Sequence, residues 1–135
     1  MSKHHKLFEW PVRVYFQDTD AGGVVYHANY VNFMERARTE WLRSHGYSNA
    51  GMMMELGVMF VVRSIKLDYL KPAKLDDLLM VTAQVKEMGR SRLNLLQTVT
   101  RDGVLLTEGE VHLVCVKAEN FKPVSVPEVM RKQWS

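Results

Sequence analysis

The sequence predicts an α+β domain in which one long helix lies against one face of an antiparallel sheet. Three observations carry this. Trp10, Val12, Val14 and Phe16 alternate with Pro11, Arg13, Tyr15 and Gln17, the period of a strand with one buried face. From Asn29 the apolar period lengthens to that of a helix. From Val58 onward the chain is a run of long alternating stretches joined by short turns, the way antiparallel strands are connected. The 135 residues are expected to form one domain, 1–135, long enough for a sizeable core and free of internal repeats, linkers or low-complexity segments.

After the first strand, Tyr30, Phe33, Met34, Ala37 and Trp41 fall on one helical face, and Glu35, Arg36, Arg38 and Glu40 fall mostly off it. Asn29 suits the N-cap and Gly46 the stop, so the helix is expected over residues 30–45, long enough to fill a curved sheet. Ser48 to Leu56 reads as a short second helix ended by Gly57, with one or two of Met52, Met53 and Met54 packed inward. Val58 to Leu70 is a long strand with a change of phase: Phe60 and Val62 share one parity, and Ile65, Leu67 and Tyr69 the other. A bulge near Arg63-Ser64 produces that change, as does cover on both faces of the first half. Lys71-Pro72-Ala73-Lys74 is a connection, because proline cannot continue a central strand. Leu79, Val81, Ala83 and Val85 then alternate, Gly89-Arg90-Ser91 turns, and Leu93, Leu95, Gln97 and Val99 follow. Arg101-Asp102-Gly103 is a hairpin turn into a last long strand, Val104 to Lys117. Pro127 opens a short C-terminal helix.

Hydrophobic content of 47% and charged content of 24% are those of an ordinary globular protein. The net charge of +3 is mild and its basic residues are scattered, which excludes a nucleic-acid stripe. It suits an anionic small molecule or an acidic protein partner, and equally no charged partner. Met1-Ser-Lys-His-His-Lys is polar and unlike a secretory signal, and no apolar run approaches membrane-spanning length. Cys115 is the single cysteine, so no intramolecular disulfide framework exists. A cytoplasmic protein is expected.

The chemistry concentrates in Gln17-Asp18-Thr19-Asp20-Ala21-Gly22-Gly23-Val24-Val25-Tyr26-His27-Ala28-Asn29-Tyr30. Two acids lead into a small-residue turn, where glycines let a backbone approach a ligand closely. The helix start that follows leaves N–H groups unpaired and carries partial positive charge, which suits a developing oxyanion. Asp20 and His27 bracket the turn as a candidate acid–base pair. An Asx-turn ahead of an ordinary helix is the alternative.

The run from Arg13 to Glu40, with Phe33-Met34-Glu35-Arg36-Ala37-Arg38-Thr39-Glu40 closing it, resembles the YbgC-type acyl-CoA thioesterases associated with the bacterial Tol–Pal cluster. These belong to the 4-hydroxybenzoyl-CoA thioesterase branch of the hotdog-fold superfamily. Looser similarity continues through Phe60-Val61-Val62-Arg63, Lys74-Leu75-Asp76-Asp77 and Lys122-Pro123. The resemblance implies a hotdog fold, a long central helix wrapped by a curved antiparallel sheet of about five strands. It also implies hydrolysis of acyl-CoA thioesters without metal or cofactor. Asp20 is then the catalytic carboxylate, as general base or nucleophile, His27 its assistant, and Asp18 a structural turn residue. Some relatives carry a tyrosine four residues before the acid; Phe16 stands there in this chain. A hotdog subunit leaves a sheet edge and a pocket rim incomplete, so a homodimer is implied, pairing further into a tetramer.

Tyr26, Arg63 and Arg90 are the candidate substrate-binding residues, with Lys66 and Arg92 further cations for the CoA phosphates; each cation also reads as a solvated surface charge. Glu108, Glu110 and His112 share a strand face, but the outer pair would lie ~13 Å apart, too far to share an ion. Cys115 reads as a buried, inert thiol, and His4 and His5 as parts of a frayed terminus. Ser44 and Ser91 lie in no nucleophile-elbow sequence, and no phosphate loop or dinucleotide fingerprint occurs. Against thioester hydrolysis stand a hydratase or dehydratase on the same fold, whose motifs are absent, and a non-enzymatic adaptor for acyl carrier protein.

Overall fold

Five strands form one antiparallel sheet in the order β1-β3-β4-β5-β2 in the computed structural model, which describes residues 7–134. His4 and His5 lie outside the described residues. The strands are β1 (Phe8–Arg13), β2 (Val58–Tyr69), β3 (Leu78–Met88), β4 (Arg92–Arg101) and β5 (Val104–Lys117). Asp102 and Gly103 take φ of 51° and 80°, the left-handed pair that a two-residue hairpin between β4 and β5 requires. The register of β2 on β5 shifts between Val62 and Ser64, so the change of phase in β2 is a bulge at Arg63.

Against this sheet lies α1 (His27–Ser44), burying Tyr30, Phe33, Met34, Ala37, Trp41 and Leu42. Its C-terminus closes as the sequence implies: Gly46, at φ 89°, donates to Arg43 O at 2.9 Å, and Tyr47 N–H reaches Leu42 O at 3.0 Å. Its N-terminus differs. The helix starts at His27, with Tyr26 in the capping position, and Asn29 is already helical. The first strand also differs, because β1 stops at Arg13 and residues Phe16–Asp18 wind into a single 3-10 turn. Val12 and Val14 are buried as the alternation implies, but Trp10 is exposed and Phe16 is 80% exposed. For Phe16 the cause is Asp18, whose carboxylate accepts the Tyr15 N–H at 2.8 Å and curls the chain off the sheet.

In α2 (Asn49–Glu55), Ser48 caps by accepting the Gly51 N–H at 3.0 Å, and Met52 alone of the three methionines is buried. After α3 (Glu128–Trp134) begins, Trp134 packs its ring 4.7 Å from that of Trp41, extending the core under the C-terminal half of α1. Cys115 is fully buried there, and burial pushes its thiol up to about 11. Glu110 is claimed by Lys86 and by His112, the latter at 3.2 Å, and among the described residues no three metal-ligating side chains converge.

Two residues set how α1 meets the sheet. Gly109 faces the helix, and a Cβ there would overlap Leu67 Cδ2 while standing 3.1 Å from Lys66 O and 3.5 Å from Met34 Cε. Opposite it in register is Gln97, fully buried. Its amide donates to Met34 O of α1 and to Thr82 O of β3, both at 3.0 Å, and accepts from Arg38 Nη1 at 3.0 Å. A Gly109→Ala variant must push the Leu67 side chain aside and crowd Lys66 O, and we expect it to lose about 1–3 kcal/mol of stability. Urea unfolding checks this: the midpoint should fall at constant slope, and an unchanged midpoint would show that the crossing has room to spare.

Candidate active site

Residues 18–26 form a small hairpin. Thr19 bridges Val25, Asp20 N–H donates to Val24 O at 2.9 Å, and Tyr26 N–H donates to Asp18 O at 3.1 Å. Gly23 closes the bend at φ 79°, where a side chain would be strained. The hairpin is fastened to the connection between β2 and β3: Val25 N–H reaches Ala73 O at 2.9 Å, and Val24 bridges Lys74.

The two acids of this hairpin have different surroundings. Asp18 is buried, with Oδ2 on the Tyr15 N–H and Oδ1 accepting from Asn29 Nδ2 at 2.6 Å. Asn29 therefore does not cap the helix; one turn in, it ties the helix to the hairpin. Asp20 is exposed, and its Oδ1 accepts the Gly22 N–H at 2.9 Å in an Asx-turn, leaving Oδ2 toward solvent and cleft.

His27 is the first residue of α1 and is exposed. Tyr69, from the end of β2, holds it in place: the phenol donates to His27 O at 3.1 Å, and the two rings meet edge-on at 5.1 Å. Tyr30 packs against Tyr69 at 5.4 Å and accepts the Ala73 N–H at 3.0 Å; burial raises its phenol above the ordinary value. Among the described residues, no acceptor pairs with the N–H of His27 or Ala28, the donors a helix start leaves over. Asp20, His27, Val24, Val25, Tyr30 and Tyr69, with Leu70, Lys71 and Pro72, line a cleft of about 230 Å³.

The structure thus brings Asp20 and His27 into one cleft. Tyr26 sits at its edge, exposed, its ring 6.3 Å from that of His27. Arg63 and Arg90 are elsewhere in the chain. Arg63 stands at the β2 bulge, six residues and roughly 20 Å of strand from Tyr69. Arg90 lies in the turn between β3 and β4, beyond the end of the sheet opposite Tyr69, where its Nε donates to Ser125 Oγ at 2.8 Å. Tyr69 and Lys71 escaped the sequence reading because they look like a strand residue and a linker residue. Pro72, marking where β2 must end, is the signal that could have found them.

A long helix lies against an antiparallel sheet, the arrangement expected of a hotdog fold, and a carboxylate and an imidazole share the cleft at its unpaired N-terminus. Comparisons with known proteins agree. Residues 14–134 match the family model for the thioesterase-like superfamily. The chain is 50% identical over 123 residues to the acyl-CoA thioester hydrolase YbgC of Escherichia coli O6:H1, covering 90% of this chain and 91% of that protein. It is 44% identical over 124 residues to the acyl-CoA thioesterase YbgC of Haemophilus influenzae, covering 92% and 91%. The crystal structure of a probable thioesterase from Bartonella henselae superposes with a TM-score of 0.86 at 31% identity, over 90% of this chain and all (100%) of that one. The chain belongs to the thioesterase-like superfamily and, within it, to the YbgC family of acyl-CoA thioesterases.

Removing the Asp18 carboxylate tests the division between the two acids. Asp18→Ala leaves the Tyr15 N–H and the Asn29 amide without their acceptor and should lower stability by about 1–3 kcal/mol. Asp18→Asn should cost less, since Asn29 can turn its amide to compensate. Thermal unfolding of both reads this directly; a stable, folded Asp18→Ala protein without activity would give Asp18 the chemical part instead.

Proposed function

We propose that this protein hydrolyses acyl-CoA thioesters to the free acid and CoA, with Asp20 as the reacting carboxylate and His27 as its assistant. The observation that carries the reading is the pair of unpaired N–H groups of His27 and Ala28 beside a cleft shared by Asp20 and His27. A thioester carbonyl oxygen set on those donors, at the positive end of α1, is polarised toward the tetrahedral oxyanion. Asp20 then removes a proton from water as its oxygen bonds to the carbonyl carbon, or attacks that carbon itself and forms an anhydride that water opens. Either way the carbon–sulfur bond breaks and thiolate departs: on the first route it takes the proton that Asp20 drew from water, and on the second the water that opens the anhydride supplies the proton, with His27 relaying it. No step needs a metal. Tyr26 borders the reacting group, whereas Arg63 and Arg90 stand away from this chain's cleft and would serve a CoA held by a neighbouring subunit.

That neighbour is proposed as a second copy joined along β2. This strand has twelve residues with one side unpaired among the described residues, a long open edge of the kind proteins cover. Light scattering at micromolar concentration should give at least a dimer; a monomer that hydrolyses acyl-CoA at full rate would sink the shared-boundary reading. A cytoplasmic setting suits a chain whose one cysteine is a buried thiol and whose described residues hold no helix long and apolar enough to cross a membrane.

Single-turnover hydrolysis of one good acyl-CoA separates the two side chains. Asp20→Ala should lose ~10⁴-fold or more, and His27→Ala nearer ~10²-fold, because the backbone donors and the carboxylate remain. Circular dichroism confirms folding. Normal turnover by Asp20→Ala would refute the assignment. No thiol release by the unsubstituted protein, with retention on immobilised acyl carrier protein, would favour an adaptor.

A further inference from the structure

The wall of the cleft beyond Tyr69 is made by Leu70, Lys71 and Pro72, the start of the connection from β2 to β3. This connection is fixed from several sides. The N–H groups of Leu70 and Lys71 both donate to Leu106 O, at 2.8 and 3.0 Å. Ala73 is held by Tyr30 of α1 and by Val25 of the hairpin. Arg101 donates to Asp77 Oδ2 at 2.7 Å and to Pro72 O at 3.4 Å. Lys71 is therefore presented at a set place relative to His27, two residues, or about 7 Å of chain, past the tyrosine that holds the His27 carbonyl.

The cations around this connection are not equivalent. Arg101 is committed to Asp77, and Arg13 to Asp76 O at 2.7 Å. Lys71 is exposed, and among the described residues no carboxylate lies within 4.0 Å of its ammonium. Lys74, three residues on, is also exposed and without such a partner. An exposed ammonium on a rigid backbone, reaching from the cleft wall into solvent, suits an anion on a thiol arm that runs out of the cleft.

We propose that Lys71 binds a phosphate of the thioester's thiol moiety while the carbonyl lies at Asp20 and His27. The proposal rests on the thioesterase reading and gives its site a phosphate-binding residue within the same chain. That phosphate is either the one on 4′-phosphopantetheine, common to CoA and to acyl carrier protein, or one on the nucleotide of CoA alone. Lys74 adds to the local positive potential without touching the ligand.

Steady-state kinetics with one acyl group on three thiols decide it: acyl-pantetheine without phosphate, acyl-4′-phosphopantetheine, and acyl-CoA. Lys71→Ala should raise KM for acyl-CoA about tenfold and leave kcat nearly unchanged, with Lys71→Glu raising it further. KM for acyl-pantetheine should not move in either variant. A rise shared by acyl-4′-phosphopantetheine assigns Lys71 to the phosphate next to pantetheine; a rise confined to acyl-CoA assigns it to the nucleotide. Equal changes on all three thioesters, or none on any, overturn the proposal while leaving hydrolysis at Asp20 intact. Failure of the unsubstituted protein to hydrolyse any of the three overturns the thioesterase reading, and this inference with it.

Discussion

A buried amide must find partners for both its ends or forfeit the hydration of its polar atoms. Gln97 meets that demand by joining Met34 of α1, Thr82 of β3 and the half-buried guanidinium of Arg38. Because a buried hydrogen bond tolerates little displacement, these three contacts fix the height and rotation of α1 over the sheet. Gly109 lets Leu67 pack beside it under Met34, since the Leu67 side chain occupies the space a Cβ would fill. Thr82 repairs the neighbouring rung, its hydroxyl accepting the Thr98 N–H at 2.9 Å. A polar seam thus specifies the packing of an otherwise apolar layer.

Once α1 is placed, its N-terminus has one position, and the hairpin before it is drawn in from two directions. Asp18 ties it to Asn29 from within, and Ala73 and Lys74 hold it from the β2–β3 connection. Tyr69 spans the remaining gap to His27 O. These contacts pass through backbone atoms or the side chains of Asp18, Asn29 and Tyr69, so the exposed Asp20 carboxylate and His27 imidazole make no hydrogen bond to the scaffold beyond one local turn. That separation lets reactive groups face solvent while the backbone that aims them stays rigid.

The same arrangement accounts for the exposed aromatics at this end of the molecule. Tyr15 and Phe16 leave the sheet because Asp18 takes the Tyr15 N–H, and they come to rest on the surface beside the hairpin. Phe16 occupies the place where some relatives have a tyrosine, and its exposure means that a hydroxyl there would meet water or a neighbouring subunit, not the interior of this chain.

The α+β class, the five strands, the stop at Gly46, the hairpin at Asp102-Gly103 and the bulge in β2 were all legible in the residues themselves. Each rests on periodicity or turn chemistry set by neighbours a few positions away. The Asp20 to His27 stretch was legible for a similar reason, as an ordered run whose Asx-turn is local. The strand order β1-β3-β4-β5-β2 was not, nor was the start of α1 at His27, because a cap is decided by which groups reach the helix, and here Asn29 is taken by Asp18, eleven residues earlier. The end of β1 at Arg13 belongs with these, since alternation continues past it and only a buried carboxylate interrupts it. Tyr69 enters the cleft through a contact with His27 forty-two residues away, Lys71 follows it two residues on, and Arg63 and Arg90 stand apart through strand register. Charge and residue type are properties of a sequence, but which charges share a cleft is decided by long-range pairing, and only the folded chain holds that information.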